Sequence, residues 1–301
     1  MHEKMELNNL NYFLLVYFYT IECDLNHIDN ELKEIKFQSE EANTDEYLKI
    51  YFQKYISKNN NILNSNIEEL ELLIESKKIT INVSDLSDYK ITKVLLPSQI
   101  TKEIKEEIVR GKETGSIYTK PDLILEISER ENVYYQTLEL KSTKGNQIPG
   151  SSVQQVTPFE WVVFVKRNEN DVKISTGFYI NSITESLPFP DRSPRPQIGF
   201  ETLLKWNKKF RVTNGKKLSI KSDDSLNASK IKLIKDWQDF LAEEWLKIVI
   251  SKDELRKEKW FNNAIRKFAV KFLEYTSSLS EEDKKSLKTQ LNSFIKKRGL
   301  R

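Results

Sequence analysis

Along the first 110 residues the apolar positions recur mostly at helical spacing. Tyr12 to Ile21 is apolar for about ten residues, short of the ~20 that span a bilayer, and suits a buried core helix. Glu46 to Tyr55 sets Tyr47, Ile50, Tyr51 and Tyr55 on one face at i, i+3, i+4, i+8. The Asn-rich stretch Lys58 to Asn66 reads as a loop, and Ile67 to Ser76 as a second helical candidate. In Gln99 to Arg110 the isoleucines Ile100, Ile104 and Ile108 recur every four residues, with Gly111 as the stop. From Ile117 the period becomes strand-like. Leu123 to Ile127, Val133 to Leu140, Trp161 to Val165 and Val172 to Ile180 are β-branched, aromatic or apolar runs separated by polar turns. Ser151 to Val156 predicts a short helix between the second and third, and residues 188–196 hold four of the eight prolines, a rigid extended loop.

The remainder is helical again. Ile231 to Ile250 carries Trp237, Phe240, Leu241 and Trp245, and Leu255 to Tyr275 carries Phe261, Phe268 and Phe272, all expected in a core. Ser280 and Asp283 sit at capping-box spacing before a last helix, with Gly299 after its end. The expected fold class is α/β of the α+β kind, a mixed central β-sheet of at least roughly four strands flanked by helices. Three regions follow: 1–98, a helical N-terminal region; 99–200, the core that holds the strands; 201–301, a helical C-terminal region. All three are expected to pack as one compact unit.

Charge alters this picture by its distribution. The chain of 301 residues has 48 Lys+Arg against 45 Asp+Glu, a net of +3. Residues 201–301 alone hold 25 basic and 14 acidic residues, a net of +11, so the first 200 residues carry −8. A basic third on an acidic remainder is one footprint of a polyanion-binding protein; Lys-rich solvated helices in a Lys-rich chain give the same count. Cys23 is the single cysteine and His2 and His27 the two histidines, which excludes a disulfide scaffold and a Cys-based zinc site. The N-terminal MHEKMELNN has no basic region before an apolar stretch, so the expectation is a soluble, reduced, cytoplasmic chain with no membrane partner.

The chemistry concentrates between two predicted strands. Lys120-Pro121-Asp122-Leu123 opens the first, and Leu138-Glu139-Leu140-Lys141 closes the second. Ser128 to Asn132 joins them as a β-hairpin. Side chains alternate along a strand, so Glu139 and Lys141 share a face. If the loop between paired residues has an even count, Asp122 joins them, opposite Glu139 or Lys141. Directly opposed residues have Cβ atoms roughly 4.5–5.5 Å apart, close enough for two carboxylates to chelate one divalent cation with an ammonium alongside. The other face then receives Leu123, Leu125, Ile127, Leu138 and Leu140, an apolar set suited to burial. Attack of water on a phosphodiester uses such groups: a cation to neutralise the phosphate and acidify water, and an amine to orient it. Glu-x-Lys recurs at Glu31-Lys33, Glu34-Lys36 and Glu103-Lys105 in helical context, and Pro-Asp at Pro190-Asp191; only Asp122 with Glu139 stands in strand–turn–strand context. A surface hairpin with Glu139 and Lys141 as a solvated pair is the bland alternative.

Pro121, Asp122, Glu139 and Lys141 resemble the PD-(D/E)xK nuclease motif, and the following helix and strand continue the resemblance across about Gln99 to Ile180. Chain length and helical additions are similar to type II restriction endonucleases. The resemblance implies a restriction-endonuclease-like fold, Mg²⁺ as cofactor, double-stranded DNA as substrate, a homodimer and a companion DNA methyltransferase. It implies Asp122, Glu139 and the Leu140 carbonyl as metal ligands, with Lys141 positioning the attacking water. An added acidic residue would come from Glu103, Glu106 or Glu107, with Glu103 or Glu107 preferred. Gln154 or Gln155 would support the site, or decorate a helix surface.

DNA contact would need further groups. Lys144, Asn146 and Gln147 surround Gly145 just after the catalytic strand. Arg192 and Arg195 have the fork geometry for a guanine edge or a phosphate, unless the prolines around them merely stiffen a connector. Lys205, Lys208, Lys209, Arg211, Lys216 and Lys217 form a basic run interrupted by Trp206 and Phe210, a phosphate-tracking surface or a solvated turn around Asn214-Gly215. The leading expectation is a site-specific deoxyribonuclease of a restriction–modification system. The alternatives are a structure-specific repair or junction nuclease of the same fold and a non-catalytic nucleic-acid-binding protein. A Cys/His hydrolase built on Cys23 and His27 lacks an orienting partner.

Overall fold

The structure is a computed structural model and describes residues 6–28, 32, 46–74, 77–110, 121–149, 157–167, 171–184, 196–251 and 259–298. Two compact units divide the chain: Met1–Ser186 with Arg195–Lys235, and Leu187–Pro194 with Asp236–Arg301.

The first unit is mixed α/β. It opens with helix α1 (Asn9–Ile28), capped where Asn8 Oδ1 accepts the Asn11 N–H at 2.9 Å. Helix α2 (Glu46–Lys58) follows, then strands β1 (Glu69–Ile74), β2 (Lys77–Asn82) and β3 (Tyr89–Leu95). Next come helix α3 (Lys102–Arg110) and strands β4 (Leu123–Glu129), β5 (Asn132–Thr143), β6 (Gln147–Pro149), β7 (Trp161–Arg167) and β8 (Val172–Phe178). A one-turn helix Tyr179–Ser182, strand β9 (Gln197–Gly199), helix α4 (Phe200–Phe210), and strands β10 (Arg211–Asn214) and β11 (Lys217–Lys221) complete it with the first part of α5 (Asp224–Ile250).

Three sheets result. One runs β3-β4-β5-β7-β8, another β10-β11-β1-β2, and β6 pairs with β9. All strand pairs are antiparallel except β5 with β7 and β1 with β11. Both larger sheets are therefore mixed.

One face of the five-stranded sheet is apolar: Leu123, Leu125, Ile127, Leu138, Leu140, Val163 and Val165 are fully buried there. They share a core with Phe13, Leu14, Tyr17 and Phe18 of α1. Burying each such side chain contributes roughly 1.5–3 kcal/mol. Helix α1 also closes the sheet's edge. Among the described residues strand β8 has no further strand beside it, and its outward N–H groups at Ile174 and Thr176 are met by α1 side chains. Asn26 accepts the Ile174 N–H and donates to the Ile174 carbonyl, both at 2.9 Å, and Glu22 Oε2 accepts the Thr176 N–H at 2.5 Å. An edge capped this way is closed to another strand.

Several expectations are corrected. Residues 1–98 hold three strands as well as helices, and Ile67 to Ser76 contributes β1 rather than a helix. The six residues of β1 are too short a run for periodicity to separate the two states, and pairing with β11 across the chain decides. On α2 the buried stripe is Leu48, Phe52 and Ile56, all fully buried, whereas Tyr47 is exposed. The region 201–301 likewise contains β10 and β11, and much of it belongs to the first unit.

The second unit is helical. Helix α5 leaves helical geometry at Asp236 (φ −111°, ψ 18°), where the unit begins, and α6 (Lys259–Ser277) and α7 (Glu281–Arg298) follow. Ser280 caps α7 as its sequence predicts: its Oγ accepts the Asp283 N–H at 3.1 Å and donates to Asp283 Oδ2 at 2.6 Å. Trp237, Leu241 and Phe261 are buried, as expected. Phe268 and Phe272 are not; they are 65% and 41% exposed, and Leu273, Tyr275, Phe294 and Ile295 are exposed with them. Among the described residues no helix is long and apolar enough to cross a membrane.

Candidate metal-binding and catalytic site

The β4–β5 hairpin sets the site. Its register pairs Leu123 with Leu138 and Glu129 with Asn132, so the turn is Arg130 and Glu131 alone. Arg130 occupies the left-handed region (φ 54°), which lets two residues reverse the chain. One step beyond Leu123, the same register places Asp122 opposite Glu139. The even count holds, so Glu139 and Lys141 fall on the sheet face opposite the α1 core, and Asp122 stands just before β4.

Asp122 Oδ2 accepts the Leu140 backbone N–H at 2.9 Å, taking up a donor that β4 starts two residues too late to pair. N–H and C=O of one strand residue leave by the same edge, so the Leu140 carbonyl faces the Asp122 side of β5 as well. Lys141 Nζ pairs with Glu139 Oε1. On β7, Val162 lies beside Glu139 and Phe164 beside Lys141, both fully buried, so one wall of the site is apolar. Low-polarity walls strengthen every charge interaction inside them.

A fourth residue comes from elsewhere. Lys49 of α2 reaches Asp122 Oδ1 at 2.8 Å. Helical periodicity marked α2 only as a core element, and no spacing rule links position 49 to a hairpin seventy residues on. Among the described residues the group holds two carboxylates and two ammoniums. It is also enclosed: Asp122, Glu139 and Lys141 are 6%, 1% and 6% exposed, and the side chain of Lys49, at 22%, is the part nearest solvent. A solvated Glu139–Lys141 surface pair is excluded by that burial.

A carboxylate just before β4, another on β5 and one carbonyl are hard oxygen donors that suit Mg²⁺, an ion that keeps several waters and takes one or two protein carboxylates. Among the described residues no group of three His, Cys, Asp or Glu side chains is arranged to hold a metal ion. Glu103 and Glu107 are both exposed on α3. A hydrogen bond with Thr101 holds the Glu103 carboxyl below its ordinary range. Gln154, Gln155, Arg192 and Arg195 lie outside the described residues.

The other basic candidates separate. Lys144 and Asn146 are exposed after β5, and Asn146 Oδ1 accepts a bond from Lys166 Nζ at 2.8 Å. Gln147 begins β6, its backbone paired with Gly199. Lys205, Lys208 and Lys209 are exposed on α4. Arg211 is a correction: its guanidinium is nine-tenths buried, pairs with Glu22, and donates to the Thr176 carbonyl at 3.3 Å. An internal ion pair cannot also track a phosphate. Lys217 is spoken for by Glu69 and Glu71 at 2.8 and 2.5 Å, and Lys216 by Glu68, so the far half of the run neutralises β1.

Two further groups bear on chemistry. Glu126 of β4 is pushed up by burial, but hydrogen bonds from Lys93, Thr92 and Tyr135 outweigh this and keep it below the usual carboxylate range. It is a paired structural carboxylate. Burial raises the Cys23 thiol, which keeps it protonated and poorly nucleophilic.

Compared with family models, curated proteins and solved structures, the chain has no match.

Proposed function

We propose that the chain is a Mg²⁺-dependent type II restriction endonuclease that hydrolyses phosphodiester bonds of duplex DNA at a short specific sequence. The observation that supports this is the hairpin: carried one step past Leu123, its register would bring Asp122 opposite Glu139, and Asp122 accepts the Leu140 N–H beside the Glu139–Lys141 pair. The order of the sheet supports it too, since β7 lies parallel to β5 as the strand after the motif.

In this reading Asp122, Glu139 and the Leu140 carbonyl hold the metal ion. When bound, Mg²⁺ supplies a Lewis acid for the phosphate and lowers the pKa of its water. Lys141 orients that water and offsets charge that develops on the phosphate. Lys49 balances Asp122 in the resting group, and because it stands nearest solvent, the phosphate approaches from its side. The exposed lysines of α4, Lys205, Lys208 and Lys209, supply phosphate contacts, and Lys144 a fourth. A homodimer is part of the proposal, supported by the apolar residues that α6 and α7 leave exposed. So is a companion methyltransferase, since a host needs its own sites protected.

The test is digestion of a sequenced plasmid with Mg²⁺ and run-off sequencing of the ends. Discrete fragments that vanish with EDTA, and with Asp122→Ala or Lys141→Ala, are the expected result. Smears or junction-only cutting would move the reading to a structure-specific nuclease. Intact plasmid across divalent ions and salt concentrations would end the catalytic reading.

A further inference from the structure

The first unit holds a cavity of about 460 Å³, far from the hairpin chemistry in kind. Leu72, Ile79 and Ile220 of the four-stranded sheet form one wall, and Trp161 and Phe178 of the five-stranded sheet another. Residues of α1, α4 and α5 complete it. The volume lies in the range of small-molecule sites, and such sites combine apolar walls with a few placed polar groups.

The polar groups are present and unused. The indole N–H groups of Trp161 and Trp206 and the amide Oδ1 of Asn207 are buried without a hydrogen-bond partner, and all three residues line the cavity. Trp161 and Asn207 are only 2% and 3% exposed. Leaving a buried donor or acceptor unmet costs roughly 1–3 kcal/mol, and such groups are rare in a native fold. The Asn207 amide is fixed by its other end: Nδ2 donates to Ser175 Oγ at 2.9 Å and to the Thr176 carbonyl at 3.0 Å, which leaves Oδ1 as the acceptor. Two donors and one acceptor suit a hydroxyl, which accepts from an indole while donating to the amide.

Charge marks the opening. Lys77 and Lys221 also line the cavity, both exposed, and their pairing with Ile74 and Leu73 sets them at one end of β1. Neither ammonium makes an ion pair among the described residues. Deeper in, Arg211 is already neutralised by Glu22. An anion is thus favoured at the lysine end and nowhere else along the walls.

We infer that this cavity binds a hydroxylated aliphatic carboxylic acid, its chain between the sheets, its hydroxyl at Trp161, Trp206 and Asn207, and its carboxylate at Lys77 and Lys221. The inference stands apart from the nuclease reading, since no residue of the hairpin site lines the cavity.

The test uses the full chain, with tryptophan fluorescence and calorimetric titration against 3-hydroxydecanoate, decanoate and 1-decanol. Expected is saturable binding of all three, weakening about 3–10-fold at each loss of hydroxyl and of charge. Trp161→Phe keeps an aromatic ring and removes the N–H, so the advantage of the hydroxy acid over decanoate shrinks. Ala228→Trp fills the cavity from α5 and abolishes binding. If that variant does not fold, the exposed pair Lys77→Ala with Lys221→Ala removes the advantage of acid over alcohol. Absence of saturable binding by any of the three overturns the inference, as does equal affinity in Ala228→Trp or an acid preference that survives loss of both lysines.

Discussion

Arg211 tests whether burial or sequence position decides what a basic residue does. Its side chain and that of Glu22 are 10% and 11% exposed, and the two form an ion pair. Arg211→Met keeps the aliphatic volume and strands the Glu22 carboxylate. Breaking a buried pair from one side costs ~3–5 kcal/mol. Glu22 keeps the Thr176 N–H at 2.5 Å, the Thr176 hydroxyl at 3.0 Å and the Asn207 amide at 3.5 Å, which places the loss near the lower end, ~3 kcal/mol. For a unit of this size each kcal/mol moves Tm by ~2–4 °C, so Tm should fall by ~6–12 °C. Circular dichroism melts of wild type, Arg211→Met and Arg211→Met with Glu22→Gln measure it. The double variant should regain much of the loss, because the stranded charge is gone. A fall under about 2 °C, with duplex affinity reduced instead, would refute the internal pairing and restore Arg211 to the surface.

Asp122→Asn and Glu139→Gln should each abolish Mg²⁺-dependent cleavage while circular dichroism stays native, read in a plasmid assay. Lys49→Ala removes the ammonium that competes for Asp122 and should lower the half-saturating Mg²⁺ concentration of cleavage roughly five-fold, about 1 kcal/mol. The triple change Lys205→Ala, Lys208→Ala, Lys209→Ala should reduce the slope of log affinity for duplex DNA against log salt by ~3, measured by fluorescence anisotropy. Hydrogen bonds from Lys217 and Lys78 hold the Glu71 carboxyl down to about 2. A depressed folded-state pKa gives stability that is present above the unfolded value, ~4.3, and lost as pH falls through the folded one. The Tm advantage of wild type over Glu71→Gln should therefore be full at pH 6 and shrink between pH ~4.3 and ~2.

The hairpin was legible because period two and an even loop count are local: Leu123 to Ile127 and Val133 to Leu140 specify each other through one tight turn. Strands β1 and β11 were not, because Glu69–Leu73 finds Lys217–Lys221 across almost half the chain, and nothing in either short run names its partner. The α2 stripe was misjudged since Tyr47, Tyr51 and Tyr55 compete with Leu48, Phe52 and Ile56 for burial, and the phenols keep to the wetter side. Lys49 was invisible for the same reason that β11 was: its role depends on which elements end up side by side. The basic run after α4 read as one patch because sequence shows charges and not the carboxylates folded against them; Glu22 and Glu71 divide it. Phe268 and Phe272 follow a core period that finds no core within the described residues.

The parallel pairing of β1 with β11 also orders the birth of the molecule on the ribosome. The five-stranded sheet is complete once Phe178 has been made, whereas β1 and β2 must wait for Lys217–Lys221 before their sheet has its third strand. Contacts of long sequence separation form late. A nascent chain halted near residue 200 would already own its hairpin carboxylates and both hairpin-side lysines, yet Glu22 would still lack Arg211 and the apolar chamber would lack a side. The chemistry is assembled before the scaffold that steadies it, and the last strand of the first unit acts as the latch.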